Sequence, residues 1–256
     1  MALYVQYTPD VYPQQEGQVL FWLFPEEFSQ SQLGDRELGS NACTLIALLT
    51  AARIQVLNIP IWGLPDQPLS RMLVTTLAEA IIEGNDIYEN LAISGQLTDP
   101  NLDITEALAP IREKYPLLAE WPILAMNGRE NIIREPIGQS LSNNIREFLM
   151  YWIYNPPIDK IPDSDLFIVL VANTRTCLFV YQPQVGKIAL VDSHAHHAIR
   201  AGAVVAQSRA GDLDHLCDWF SAMCLHCYGA GPDISEYELS CIYMQDIGLY
   251  DLNEET

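Results

Sequence analysis

Cys43 opens the run CTLIALLTAARIQVL, a nearly uninterrupted apolar stretch rich in helix formers. Ser40 or Asn41 is suited to the N-cap, so the pattern predicts a buried helix that begins at the thiol. A cysteine there feels the positive end of the helix dipole and the unsatisfied N–H groups, which lower its pKa and favour the thiolate. The same N–H groups form a candidate oxyanion hole. The plainer alternative is a small apolar side chain starting a core helix. Far along the chain, Asp192-Ser193-His194 closes the strand-like run IALVDSH. Residues two apart on a strand share a face, which puts Asp192 beside His194 to hold its imidazole tautomer and stabilise its cationic form. Here the alternative is a polar strand end entering a loop. Taken together, the two features are the layout of a cysteine hydrolase whose nucleophile and base meet across a cleft.

Two other clusters compete for chemical roles. His194, His196 and His197 crowd with Asp192 into DSHAHH, residue types that zinc or iron takes as ligands. A metallohydrolase needs further ligands, and only His215 and His226 remain among the histidines; His196 and His197 read more simply as loop residues. Cys217, Cys224 and Cys227 with His215 and His226 form the second cluster. They fall within one predicted helix beside Trp219, Phe220 and Met223, which reads as thiols lining a helix core rather than as a zinc site. No metal or cofactor is expected, and no Gly-rich phosphate loop is present.

The elements that must position Cys43 and His194 follow from periodicity. Leu69 to Leu91, Ile104 to Tyr115 and Leu141 to Tyr154 show apolar residues three and four apart and predict helices. The first 42 residues are mixed in pattern. Pro100, Pro110, Pro116, Pro122 and Pro136 punctuate a middle section expected to be helical with loops. DLFIVLVA and CLFVYQP predict a hairpin through NTRT, IALVDSH a third strand, and GAVVAQS a fourth. LDHLCDWFSAMC predicts a helix and SCIYMQDI a last strand. The expectation is an α+β fold in one domain over 1–256, with a helical part at about 40–155 and an antiparallel sheet at about 163–247. Trp22, Trp62, Trp121, Trp152 and Trp219 read as core or cleft wall. The tail from Gln245, with Asp246, Asp251, Glu254 and Glu255, reads as a solvated end.

Composition narrows the partners. In 256 residues, 13 Lys and Arg stand against 33 Asp and Glu, a formal charge of −20. That balance opposes partners held through phosphates, whether nucleic acid or an anionic membrane, and favours a basic one. Hydrophobic residues at 49% and charged residues at 18% argue for a folded globular chain. The segment MALYVQYTPDVYP lacks the pattern of a secretory signal, and the apolar runs fall short of a bilayer span. The expected setting is therefore cytoplasmic or nuclear, with the six cysteines reduced.

The stretch QSQLGDRELGSNACTLIALL, followed much later by IALVDSHAHHAIRAGAVVAQS, resembles the papain-like ubiquitin-specific peptidases of the herpesvirus large tegument protein type and their cellular relatives. That resemblance implies a papain-like fold with Cys43 as nucleophile, His194 as general base and Asp192 as its orienter. It implies an upstream Gln that donates to the oxyanion; Gln30 fits by its distance from the cysteine, with Gln32 second. The residue before the nucleophile, often Gln in that family, is Ala42 here. The implied substrate is ubiquitin or a ubiquitin-like modifier, whose Arg and Lys an acidic cleft would attract, with the helices between 69 and 154 as recognition region. Two readings remain beside it: a papain-like binding module without turnover, and a metal-dependent hydrolase using DSHAHH.

Overall fold

The computed structural model describes residues 8–34, 36, 39–123, 128–229 and 234–246. Asp251, Glu254 and Glu255 of the expected tail lie outside the described residues. The part of the tail that is described is tied down: Gln245 N–H donates to Leu117 O at 2.9 Å and its side chain to Asp159 Oδ2 at 2.8 Å.

Short strands rich in β-branched and aromatic residues assemble into one antiparallel sheet. They are β1 (Pro13–Glu16), β2 (Val19–Leu23), β3 (Leu118–Trp121), β4 (Ile132–Ile133), β5 (Leu166–Ala172), β6 (Arg175–Gln182), β7 (Lys187–Asp192), β8 (Val204–Arg209) and β9 (Tyr237–Met244). The order is β1-β2-β8-β7-β6-β5-β9-β3, with β4 also paired to β9. The expected hairpin through NTRT forms with Asn173 and Thr174 at its tip, both at positive φ (50° and 61°), the turn whose twist matches its strands. The sheet draws on more of the chain than its C-terminal part. β1 and β2 come from the first 42 residues, and β3 and β4 from the middle section that reads as helix and loop.

Among the described residues five helices cover both faces: α1 (Cys43–Val56), α2 (Arg71–Ile93), α3 (Ile104–Arg112), α4 (Ile137–Tyr154) and α5 (Leu213–Tyr228). On one face α1, α2 and α3 pack against Phe167, Val169, Leu178 and Val180. On the other, α4 and α5 pack against Leu166, Ile168, Leu170 and Phe179. Alternate residues of a strand point to opposite faces, so covering both explains why LFIVLVA is apolar at every position rather than at every second one. The α+β class read from the sequence is what the structure shows. Among the described residues no helix is long and apolar enough to cross a membrane.

The helix that carries the thiol is apolar all round because it is enclosed all round, by α2, α3 and the sheet. Gly84 of α2 makes its close packing possible: a Cβ there would stand 2.6 Å from Ile46 Cγ1. The N-cap differs from expectation. Ala42 holds that position with no side-chain cap, while the Ser40 hydroxyl accepts from Ala42 N–H at 3.1 Å and donates to Asn85 Oδ1 of α2 at 2.5 Å. Ser40 thus ties the approach to α1 onto α2 instead of capping the helix.

Candidate active site

Cys43 is the first residue of α1, so its backbone N–H has no intrahelical carbonyl to donate to. The end of β7 brings His194 to it, near enough for each side chain to shift the other's protonation. Asp192 Oδ1 accepts from the His194 backbone N–H at 2.9 Å and lies 2.6 Å from its Nδ1. That contact leaves Nε2 for the thiol. Both Asp192 and His194 are buried, at 3% and 6% exposure.

Gln30 reaches the same place from a loop that follows β2. Its backbone N–H donates to Ser193 O at 2.8 Å, and its Oε1 accepts from the Ser193 hydroxyl at 2.8 Å. Its Nε2 donates one hydrogen to Ser40 O at 3.0 Å and keeps a second. The loop can approach this closely because of Gly202, where a Cβ would lie 2.3 Å from the carbonyl oxygens of Pro25 and Phe28. Gln30 is buried and lines the cleft beside Cys43; Gln32 is exposed and does not line it. The structure thus brings Cys43, His194, Asp192 and Gln30 together from residues that span most of the chain.

Electrostatics set the protonation state. Burial, the largest influence on Cys43, pushes its thiol up, but the hydrogen bond and charge of His194 and the hydroxyl and main chain of Thr176 together bring it down to about 7. Burial also opposes the His194 cation, yet Asp192, followed by Cys43, raises that imidazole to about 9. Burial disfavours the Asp192 anion as well, and His194 and His196 overcome it and hold the carboxyl well below the usual range. A thiolate–imidazolium pair therefore exists between about 7 and about 9: below it the thiol is protonated, and above it the imidazole is neutral. Burial raises the other five thiols: Cys177, Cys217, Cys224, Cys227 and Cys241. Iodoacetamide should modify Cys43 first at neutral pH, with a rate that titrates at about 7. A midpoint near an ordinary thiol, or first labelling at half-buried Cys227, would contradict the ion pair.

Three side chains of the site were not assigned to the Cys43–His194 array from the sequence. Thr176, at the start of β6, contacts the thiol and shares a 3.0 Å hydroxyl pair with Thr44 of α1. His196 reads as a loop residue but is fully buried, with Nε2 at 3.4 Å from Asp192 Oδ2 and Nδ1 at 2.8 Å from the Tyr228 hydroxyl. It faces the carboxylate oxygen that His194 does not use. Tyr228, from the end of α5, also reaches Ala195 O at 3.1 Å and so pins the loop that follows His194. Only the crowding of DSHAHH hinted at this arrangement.

That geometry bears on the metal readings. Both imidazoles turn a nitrogen toward the Asp192 carboxylate, and the other nitrogen of His196 is taken by Tyr228. His197 is exposed, as are His215 and His226 on α5. Among the described residues no three His, Cys, Asp or Glu side chains gather as a metal site.

The cleft has a volume of about 360 Å³ and is lined by Gln30, Ser31, Ser40, Asn41, Cys43, Asn101, Thr174, Arg175, His194, Ala195, His197, Cys227 and Tyr228. Among the described residues none of the cleft walls carries an Asp or Glu, so the acidic cleft that the resemblance implies is not seen there. No tryptophan lines it either; Trp22, Trp121 and Trp152 are core residues. As expected from the sequence, a cysteine that opens a buried helix faces a histidine that ends a strand of an antiparallel sheet.

Among solved structures, the chain is similar to the ubiquitin-specific protease encoded by murine cytomegalovirus tegument protein M48, in complex with a ubiquitin-based suicide substrate. Identity is 15%, over 88% of this chain and 86% of that one, with a TM-score of 0.48. It is also similar to the Pseudomonas avirulence protein AvrPphB, at 12% identity over 80% of this chain and 95% of that one, with a TM-score of 0.42. No protein-family model and no curated protein matches.

Proposed function

We propose that the chain is a cysteine peptidase or isopeptidase, and the observation that carries this reading is the buried Cys43–His194–Asp192 array beside Gln30. The Cys43 thiolate attacks the substrate carbonyl carbon, and the carbonyl π pair moves onto oxygen. The Cys43 backbone N–H and the free hydrogen of Gln30 Nε2 are donors for that oxyanion. Collapse of the tetrahedral intermediate breaks the C–N bond, and His194 gives its proton to the departing amine, which leaves a thioester and a neutral imidazole. His194 then takes a proton from water, which attacks the thioester. The second collapse returns the thiolate and releases a carboxylic acid. Asp192 keeps the imidazole oriented through both halves, held in turn by His196.

Within that class we assign as substrate the C-terminal peptide or isopeptide bond of ubiquitin or a similar modifier. The motifs around Cys43 and His194 support this, and so does the flank of the cleft. Asn85 of α2 donates to Gln30 O at 2.9 Å, and its neighbour Asp86 is an acidic group on that side for a basic tail, next to Glu89, which pairs with Arg36 at 2.7 Å. A thiol enzyme whose described cysteines are all free suits the cytosol or nucleus. Ubiquitin bearing a C-terminal electrophilic warhead is expected to form a covalent adduct that Cys43→Ala loses. No adduct from folded protein removes ubiquitin as substrate, and iodoacetamide labelling of Cys43 then still reports on the thiol chemistry.

A further inference from the structure

Among the described residues Arg175 is the one arginine or lysine on the cleft wall, and no described carboxylate pairs with it. Its Nε is enclosed and has no hydrogen-bond partner. Its guanidinium carbon lies 3.7 Å from the centre of the Tyr228 ring, so the ring covers one face of the guanidinium. Tyr228 is anchored in turn by its hydroxyl to Ala195 and His196. The guanidinium plane is therefore held in a defined position relative to His194. A chain of −20 formal charge thus lines the cleft, among its described residues, with no carboxylate and with one guanidinium that no described carboxylate pairs.

We infer that Arg175 is a specificity-determining residue that binds an acidic side chain of the substrate next to the cleaved bond. The chemistry is that of the forked guanidinium, whose parallel N–H groups match the two oxygens of a carboxylate. The acidic residue belongs to the leaving half. Arg175 stands on the wall shared by His194, Ala195 and Tyr228, and His194 is the group that protonates the departing amine. Gln30, Ser40 and Asn41 stand around the start of α1, where the acyl oxygen is held. This inference rests on the proposed peptidase reading and refines it: a basic modifier tail on the acyl side and an acidic segment on the leaving side use different parts of one cleft.

The test is a set of internally quenched peptides that carry Glu, Gln or Lys at the first or second position after the cleaved bond, with cleavage sites identified by mass spectrometry. Wild type is expected to prefer Glu over Gln by about tenfold in kcat/KM, the effect of one charge-assisted pair that stays partly solvated. Arg175→Ala brings that ratio to about one, Arg175→Lys retains part of it, and Arg175→Glu shifts the preference to Lys. Because each variant is read as a ratio between substrates, a general loss of activity or folding cancels. Equal cleavage of Glu and Gln peptides by wild type, or a Glu preference that survives Arg175→Ala, overturns the inference. If the wild-type protein cleaves none of the peptides and Cys43 does not label, the peptidase reading itself has failed, which is a different result.

Discussion

Cys43→Ala is expected to remove turnover on any substrate the wild type cleaves, by on the order of 10⁶-fold, because catalytic residues that act as a unit leave little when the nucleophile is gone. The expectation follows from where the thiol sits. It is the one described cysteine brought down toward neutrality, while burial raises the other five. No second thiol can therefore take over as thiolate near pH 7. The replacement removes only a sulfur from a residue already at the start of a helix of good helix formers, so the fold survives it. Thermal unfolding by circular dichroism beside the activity assay separates the two effects: an unchanged melting transition with no turnover is expected. A folded Cys43→Ala protein that turns over at the wild-type rate would exclude the thiol mechanism.

Asp192→Asn should cost about 10⁴-fold, the scale seen when a triad carboxylate is replaced by its amide. The physical reason lies in opposing influences on His194. Burial disfavours the imidazolium, and the Asp192 anion is the largest influence raising it to about 9. With a neutral amide in its place burial prevails, and His194 is neutral at physiological pH. Cys43 then loses its cationic partner, and the burial that already pushes the thiol up is no longer outweighed. The window between about 7 and about 9 in which the ion pair exists closes from both ends. The iodoacetamide profile of Cys43 reads this directly, its midpoint moving from about 7 toward the ordinary thiol range. The amide fits without unfolding because His196 can change tautomer. The Tyr228 hydroxyl can then accept from Nδ1 and donate to Ala195 O, both already within reach. If the variant keeps the alkylation midpoint of wild type, Asp192 does not set the charge state of the pair.

Much of the candidate array was legible in the sequence. Cys43 stood out because a long apolar run starts at it, and helix starts are a local property with a local signature. Asp192 and His194 stood out because two-residue spacing at the end of an apolar run places them on one face. The five central strands and the helices were legible for the same reason, since periodicity is set by neighbours in sequence. The edge strands β1 to β4 were not: they are short, β2 to β4 become strands by pairing with β8 and β9 far away in the chain, and β1 then pairs with β2. Nor could spacing alone choose between Gln30 and Gln32. That choice depends on Gly202, which lets the loop after β2 lie against the β7–β8 connection.

The sequence by itself determined the residue types of the array and the local elements that present them, because helix and strand patterns are written in short-range order. Tertiary structure alone decided what surrounds them. Burial of His196 against Asp192, the Tyr228 anchor and the unpaired Arg175 all arise where α5 and β6 meet the end of β7. The cleft's charge was decided there too. Net charge is a sum over the chain, whereas the field at a site depends on which few side chains the fold brings to its walls.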